Sequence, residues 1–106
     1  MVVAVTGGAR GIGRATAEAF AREGSAVAIG DVDPKEAERT AEAIGSPAIA
    51  LPLDVRDRES FAAFLDGAES RLGPLSVLVN NAGVMSIGPF VDEDDESTRR
   101  MLEINA

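Results

Sequence analysis

Four short stretches of this chain are apolar at nearly every position: VVAV from Val2, AVAI from Ala26, AIALPL from Ala48 and LSVLV from Leu75. Strands of that kind are buried on both faces, as in a parallel sheet covered by helices. Between them the period changes. Residues from about Ile12 to Glu23 read as a first helix. A second opens with Asp33 as N-cap and Pro34 at the first helical position, and stops at Gly45. A third carries Phe61, Phe64, Leu65, Ala68 and Leu72 on one face and ends at Gly73-Pro74, with Asp57 available as its cap. A final helix is expected from about Asp95 onward, with Asn105 inside it. Strands alternating with helices predict an α/β fold, a doubly wound parallel sheet with right-handed crossovers.

One proline in this pattern is informative. Pro52 lies in the third strand, and proline cannot donate to a sheet ladder, so that strand belongs on an edge. A Rossmann-type order of 3-2-1-4 puts it there. The same order makes the fourth strand the opposite edge. No lysine, proline or charge within Leu75–Val79 discourages pairing there, so self-association is expected.

Composition narrows the function. A chain of 106 residues holds one domain with one core. A formal net charge of −8 argues against nucleic acid or an anionic membrane as partner, because both need basic surfaces. No apolar run approaches the ~20 residues of a membrane span. The absence of Cys and His leaves no disulfide, no soft-metal site and no histidine acid–base chemistry, so no metal is expected. The lack of cysteine is compatible with a cytoplasmic protein. None of this excludes a single nucleotide held by backbone amides.

Four glycines, Gly7, Gly8, Gly11 and Gly13, separate the first strand from the first helix. Glycine within a helix costs about 1 kcal/mol relative to alanine, so the backbone there is needed bare. A strand ending at Thr6, a glycine turn and a helix start put free N–H groups and the positive end of a helix dipole where a phosphate can sit. The spacing is G-x3-G-x-G, and no Gly-Lys-Ser/Thr follows, which excludes a P-loop. A merely tight turn is the simpler alternative. Asp31 weighs against it. It ends the second strand 18 positions after Gly13, close to the ~20 expected of an acid that holds adenosine ribose hydroxyls.

With TGGARGIG, Asp31, LDV and NNAG in order, the whole chain closely resembles the N-terminal, cofactor-binding half of short-chain dehydrogenases/reductases. The resemblance implies that residues 1–106 are the N-terminal part of a single NAD(P)-binding Rossmann domain. It implies cofactor contacts from Thr6, Gly7, Arg10, Gly11, Ile12 and Gly13 in the loop, and from Asp54 and Val55 at the adenine. Asn81, Ala82 and Gly83 would lie along the cofactor's path. Asp54 has a second reading as a helix cap, and Asn80 serves equally as a structural residue. The resemblance also matches Asn105 to the asparagine of the family's Asn-Ser-Tyr-Lys tetrad, whose backbone carbonyl holds a water of a proton relay. The acidic run from Asp92 reads as a first helical turn complementing the dipole.

The expected cofactor is NAD, ahead of NADP, because Asp31 would repel a 2′-phosphate; Arg10 is the countersignal. The family's serine, tyrosine and lysine fall after the last residue here, and the chain contains no tyrosine. Lys35, its one lysine, belongs to the second helix. Two functions follow: half of an oxidoreductase acting on a small alcohol or carbonyl substrate, expected to be inactive alone, or a non-catalytic dinucleotide-binding or interaction module. A nucleotide-sugar epimerase is weaker, because its glycine loop is spaced differently. The expected partner is a second copy in a homo-oligomer, or the missing C-terminal half.

Overall fold

The computed structural model describes residues 1–45, 47–81 and 102–105. In chain order the elements are β1 (Val2–Thr6), α1 (Gly11–Arg22), β2 (Ala26–Asp31), α2 (Pro34–Ile44), β3 (Ala48–Pro52), α3 (Arg58–Leu72), β4 (Val77–Asn80) and β5 (Leu102–Asn105). All strand pairs are parallel, in the order β3-β2-β1-β4-β5. The Rossmann-type sheet is as the apolar runs predict. Pro52 closes β3 opposite Asp31, on the edge strand.

Side-chain alternation divides the core between the two sheet faces. Val3, Val5, Val27, Ile29, Val77 and Val79 point to the face that packs with Ala17 of α1 and Ala37 and Ala41 of α2. Ala4, Ala28 and Leu78 point the other way, under Phe61, Phe64, Leu65 and Ala68 of α3. Small residues on that second face let α3 bring two phenylalanines close. Gly30 is the tightest point: a Cβ there would stand 2.7 Å from Phe64 Cε1 and 2.8 Å from Leu53 Cδ2.

The helix boundaries follow local chemistry. Asp33 accepts a bond from the Glu36 N–H and caps α2, with Pro34 next. Asp57 accepts from the N–H groups of Glu59 and Ser60 and caps α3. Gly45 and Gly73 end the two helices at positive φ, 91° and 109°.

One end of the sheet departs from expectation. Asn105 is not helical, and β4 is not an edge. Residues 102–105 form β5, in register from Val77 opposite Leu102 to Asn80 opposite Asn105. The free side of β4 offers a row of backbone partners; the Leu102 N–H donates to the Ser76 carbonyl at 3.0 Å. Among the described residues the edge therefore passes to β5, where Leu102 is 60% exposed and Ile104 39%. The helix start at Asp95 and the acidic run from Asp92 lie outside the described residues. Among the described residues, no helix is long and apolar enough to cross a membrane.

Candidate functional site

Every parallel strand presents a sequence-selected residue at its carboxyl end: Thr6 on β1, Asp31 on β2, Asp54 just past β3, Asn80 and Asn81 on and after β4, Asn105 on β5. The crossovers reverse direction between β1 and β4, and the crevice at such a switch point is where open α/β sheets bind ligands.

The glycine loop sits at that point. The N–H groups of Gly7 and Gly8 both donate to the Gly30 carbonyl, at 2.7 and 3.3 Å, which ties the loop to β2. Gly7 and Gly11 have φ of 66° and 63°, a region side chains disfavour. Among the described residues a Cβ at Gly11 would meet nothing within 4 Å, so on their side the outer face of the loop is open. A Cβ at Gly13 would lie 2.1 Å from the Gly7 carbonyl oxygen and 2.8 Å from Asn81 Nδ2. Gly13 thus lets α1 press against the turn that precedes it.

Unlike α2 and α3, α1 has no side-chain cap and no acidic residue in its first turn. Its N-cap is Arg10, in extended conformation. The first N–H groups of a helix have no intrahelical acceptor, and the partial positive charge of the helix collects there. An uncapped start with open space above Gly11 fits an anionic ligand. Ile12, 71% exposed, flanks the opening.

Asp31 stands beside the loop. Its Oδ2 accepts from the Ala9 N–H and its Oδ1 from the Asp33 N–H, both at 3.1 Å. Each carboxylate oxygen accepts two bonds, so each keeps capacity for a ligand hydroxyl. Arg10 reaches over the same turn and donates to Asp33 at 3.0 Å. Val32, between the two aspartates, is 70% exposed.

The remaining candidates frame the crevice. Asp54 receives Arg56 in a fork, Nε to Oδ1 at 3.1 Å and Nη2 to Oδ2 at 3.2 Å. Those bonds, joined by the Arg56 N–H, hold its carboxyl below the usual aspartate range. Asp54 does not cap α3; Asp57 does. Val55 packs against the core under α3. The buried Thr6 hydroxyl donates to Asn80 Oδ1 at 3.1 Å and accepts the Asn81 N–H at 3.0 Å. Asn81 Nδ2 donates to the Gly7 carbonyl at 3.2 Å, so β4 also supports the loop. Asn80 Nδ2 reaches Asn105 Oδ1 at 3.4 Å. Ala82 and Gly83 lie outside the described residues.

A family model for short chain dehydrogenases matches residues 1–106. The chain belongs to that family.

Among curated short-chain relatives, the chain is 45% identical over 101 residues to sorbitol dehydrogenase of Cereibacter sphaeroides, covering 95% of this chain and 40% of the relative. It is 40% identical over 104 residues to galactitol 2-dehydrogenase of Agrobacterium fabrum, covering 98% and 41%. Among solved structures, 3-ketoacyl-(acyl-carrier-protein) reductase from Brucella melitensis, complexed with NADH, superposes with a TM-score of 0.75 at 38% identity. That match covers 78% of this chain and 34% of the reductase. The chain spans about two fifths of the length of the curated relatives it matches.

Within this short-chain fold, three supporting residues escape the sequence reading. Gly30 supplies the carbonyl that anchors the loop. Ala9 supplies the N–H that meets Asp31. Thr40, buried on α2, donates to the Ala9 carbonyl at 2.7 Å. Two act through backbone atoms, which leave no trace in residue type. Thr40 has a faint signal, as a polar residue on the buried stripe of α2.

Proposed function

We propose that residues 1–106 are the N-terminal part of a single dinucleotide-binding domain. On this reading the chain is the cofactor-binding half of an NAD(H)-dependent oxidoreductase acting on a small alcohol or carbonyl substrate. The observation that carries the reading is the uncapped start of α1, open above Gly11 and standing beside Asp31. The N–H groups at the start of α1 would hold the pyrophosphate, and Asp31 the adenosine ribose hydroxyls. Val32, Val55 and Asp54 would border the adenine. Ile12, with Asn81, Ala82 and Gly83, would line the way to the nicotinamide. Bound there, the dinucleotide supplies or accepts a hydride.

NAD(H) is favoured over NADP(H). A 2′-phosphate beside Asp31 would face a carboxylate, and like charges brought together cost several kcal/mol. Arg10, the group able to compensate, is engaged by Asp33. Asn105 is the tetrad position in this chain, and its part in a proton relay belongs to the proposal. So do a homo-oligomeric state and a cytoplasmic setting. Calorimetric titration of NADH and NADPH into the complete protein tests the reading. Tighter binding of NADH supports it; no binding of either overturns it.

A second reading is a dinucleotide-binding module without catalysis. Carbonyl-dependent NADH oxidation by the complete protein decides against that module.

A further inference from the structure

We propose that Thr40 is a positioning residue for dinucleotide binding: together with Asp31 it clamps the Ala9 peptide and thereby aims the first N–H groups of α1. The inference rests on the dinucleotide reading above.

Ala9 directly precedes Arg10, the N-cap of α1. Its N–H is held from one side by Asp31 Oδ2 at 3.1 Å, and its carbonyl from another by Thr40 Oγ1 at 2.7 Å. The Ala9 side chain is 2% exposed and Thr40 1%, so neither has water as an easy substitute. Threonine in a helix commonly donates to the carbonyl one turn back in its own helix. Thr16 in α1 does so, bonding to Ile12 at 2.8 Å on an exposed face. Thr40 instead spans 31 positions to the loop.

The clamp links both ends of the adenosine diphosphate site. Asp31 and Asp33 belong to the turn that would read the ribose, and α2 starts from Asp33. Thr40 lies two turns along α2 and holds the loop that would bind the diphosphate. A buried carbonyl left without its donor destabilises the arrangement that buries it, so the peptide joining Ala9 to Arg10 turns more freely and loosens the Ala9 N–H beside it. The N–H groups that follow then lose their common aim.

The test uses the complete protein with Thr40→Val, which keeps shape and removes the hydroxyl, and Thr40→Ser, which keeps the hydroxyl. Hydrogen exchange at the Ala9 amide is followed without ligand, and affinities are measured for ADP-ribose and for adenosine. Thr40→Val is expected to speed exchange at Ala9 and weaken ADP-ribose about tenfold. Adenosine binding is expected to stay unchanged, and Thr40→Ser to restore the wild-type values. Unchanged exchange at Ala9, or faster exchange with unchanged ADP-ribose affinity, overturns the proposal. Equal weakening of adenosine and ADP-ribose also overturns it, because a general loosening of α2 does that. Should Thr40→Val fail to fold, Thr40→Ala against Thr40→Ser isolates the hydroxyl. Wild-type protein that binds no ADP-ribose overturns the dinucleotide reading itself, and the exchange experiment still reports on the clamp.

Discussion

Arg10 donates from Nη2 to Asp33 Oδ2 at 3.0 Å, across the turn that carries Asp31. The pair is exposed, with side chains 68% and 44% accessible, so it is worth at most about 1 kcal/mol. That is enough to bias Arg10, and too little to outweigh Asp31. Asp33→Asn keeps an oxygen to cap α2 while removing the charge that holds Arg10. NADPH affinity is expected to rise by up to about fivefold in Asp33→Asn. NADH is still expected to bind more tightly. Parallel titrations of both cofactors check this.

Gly13→Ala puts a methyl group 2.1 Å from the Gly7 carbonyl oxygen, inside any permitted contact. α1 must move away from the loop, and the Asn81 Nδ2 bond to the Gly7 carbonyl, which the new methyl crowds, is disturbed with it. Overpacking of this kind costs about 1–3 kcal/mol. Urea unfolding is expected to show that loss, and NADH titration a loss of affinity beyond tenfold. Gly11→Ala, with open space at its Cβ but φ of 63°, is expected to be milder.

Asp54 titrates below ordinary aspartate because Arg56 bonds to its ionised form. A folded pKa lowered in this way stabilises the native state above the ordinary value near pH 4. The contribution is lost as the pH falls through the lowered one. Carboxyl NMR titration is expected to move the Asp54 midpoint upward in Arg56→Gln. Stability above about pH 5 is expected to keep its pH dependence in that variant.

The 106-residue chain by itself is expected to turn over no carbonyl substrate. Hydride transfer to a carbonyl needs a proton donor at the developing oxyanion, and the sequence has no tyrosine or histidine to provide one. Loss of nicotinamide absorbance with a panel of carbonyl compounds measures it, and sustained turnover contradicts the expectation.

Among the described residues, Leu102 and Ile104 lie on a strand with one neighbour, β4. The net charge of −8 repels over only about 8 Å at physiological salt. Sedimentation across a concentration series is expected to show self-association. Replacing both residues by lysine, which blunts an exposed edge, is expected to reduce it.

Much of the fold is legible in the sequence because its signals are local. Asp33, Pro34, Gly45, Asp57 and Gly73 act within a few residues of where they stand, and each ends or begins the helix expected of it. Valines on one sheet alternation and alanines on the other explain why the runs read apolar throughout. What the sequence hides is non-local. The strand at 102–105 depends on β4, 25 positions earlier, and in LEIN the β-branched Ile104 alone favours a strand, too little to announce it. Asp54 shows no sign in its own type that Arg56 takes it up. Thr40 reads as a modest helix residue until the loop it touches is in view.

If the start of α1 holds a dinucleotide, its missing side-chain cap would tie the lifetime of the protein to its metabolic surroundings. A helix whose terminal donors are completed from outside gains stability with ligand supply, about 2.7 kcal/mol at a hundredfold excess over Kd. Chains starved of dinucleotide would then open more often, and proteases act on what opens. Abundance in the cell would then track the cofactor pool with no regulator beyond the glycine loop.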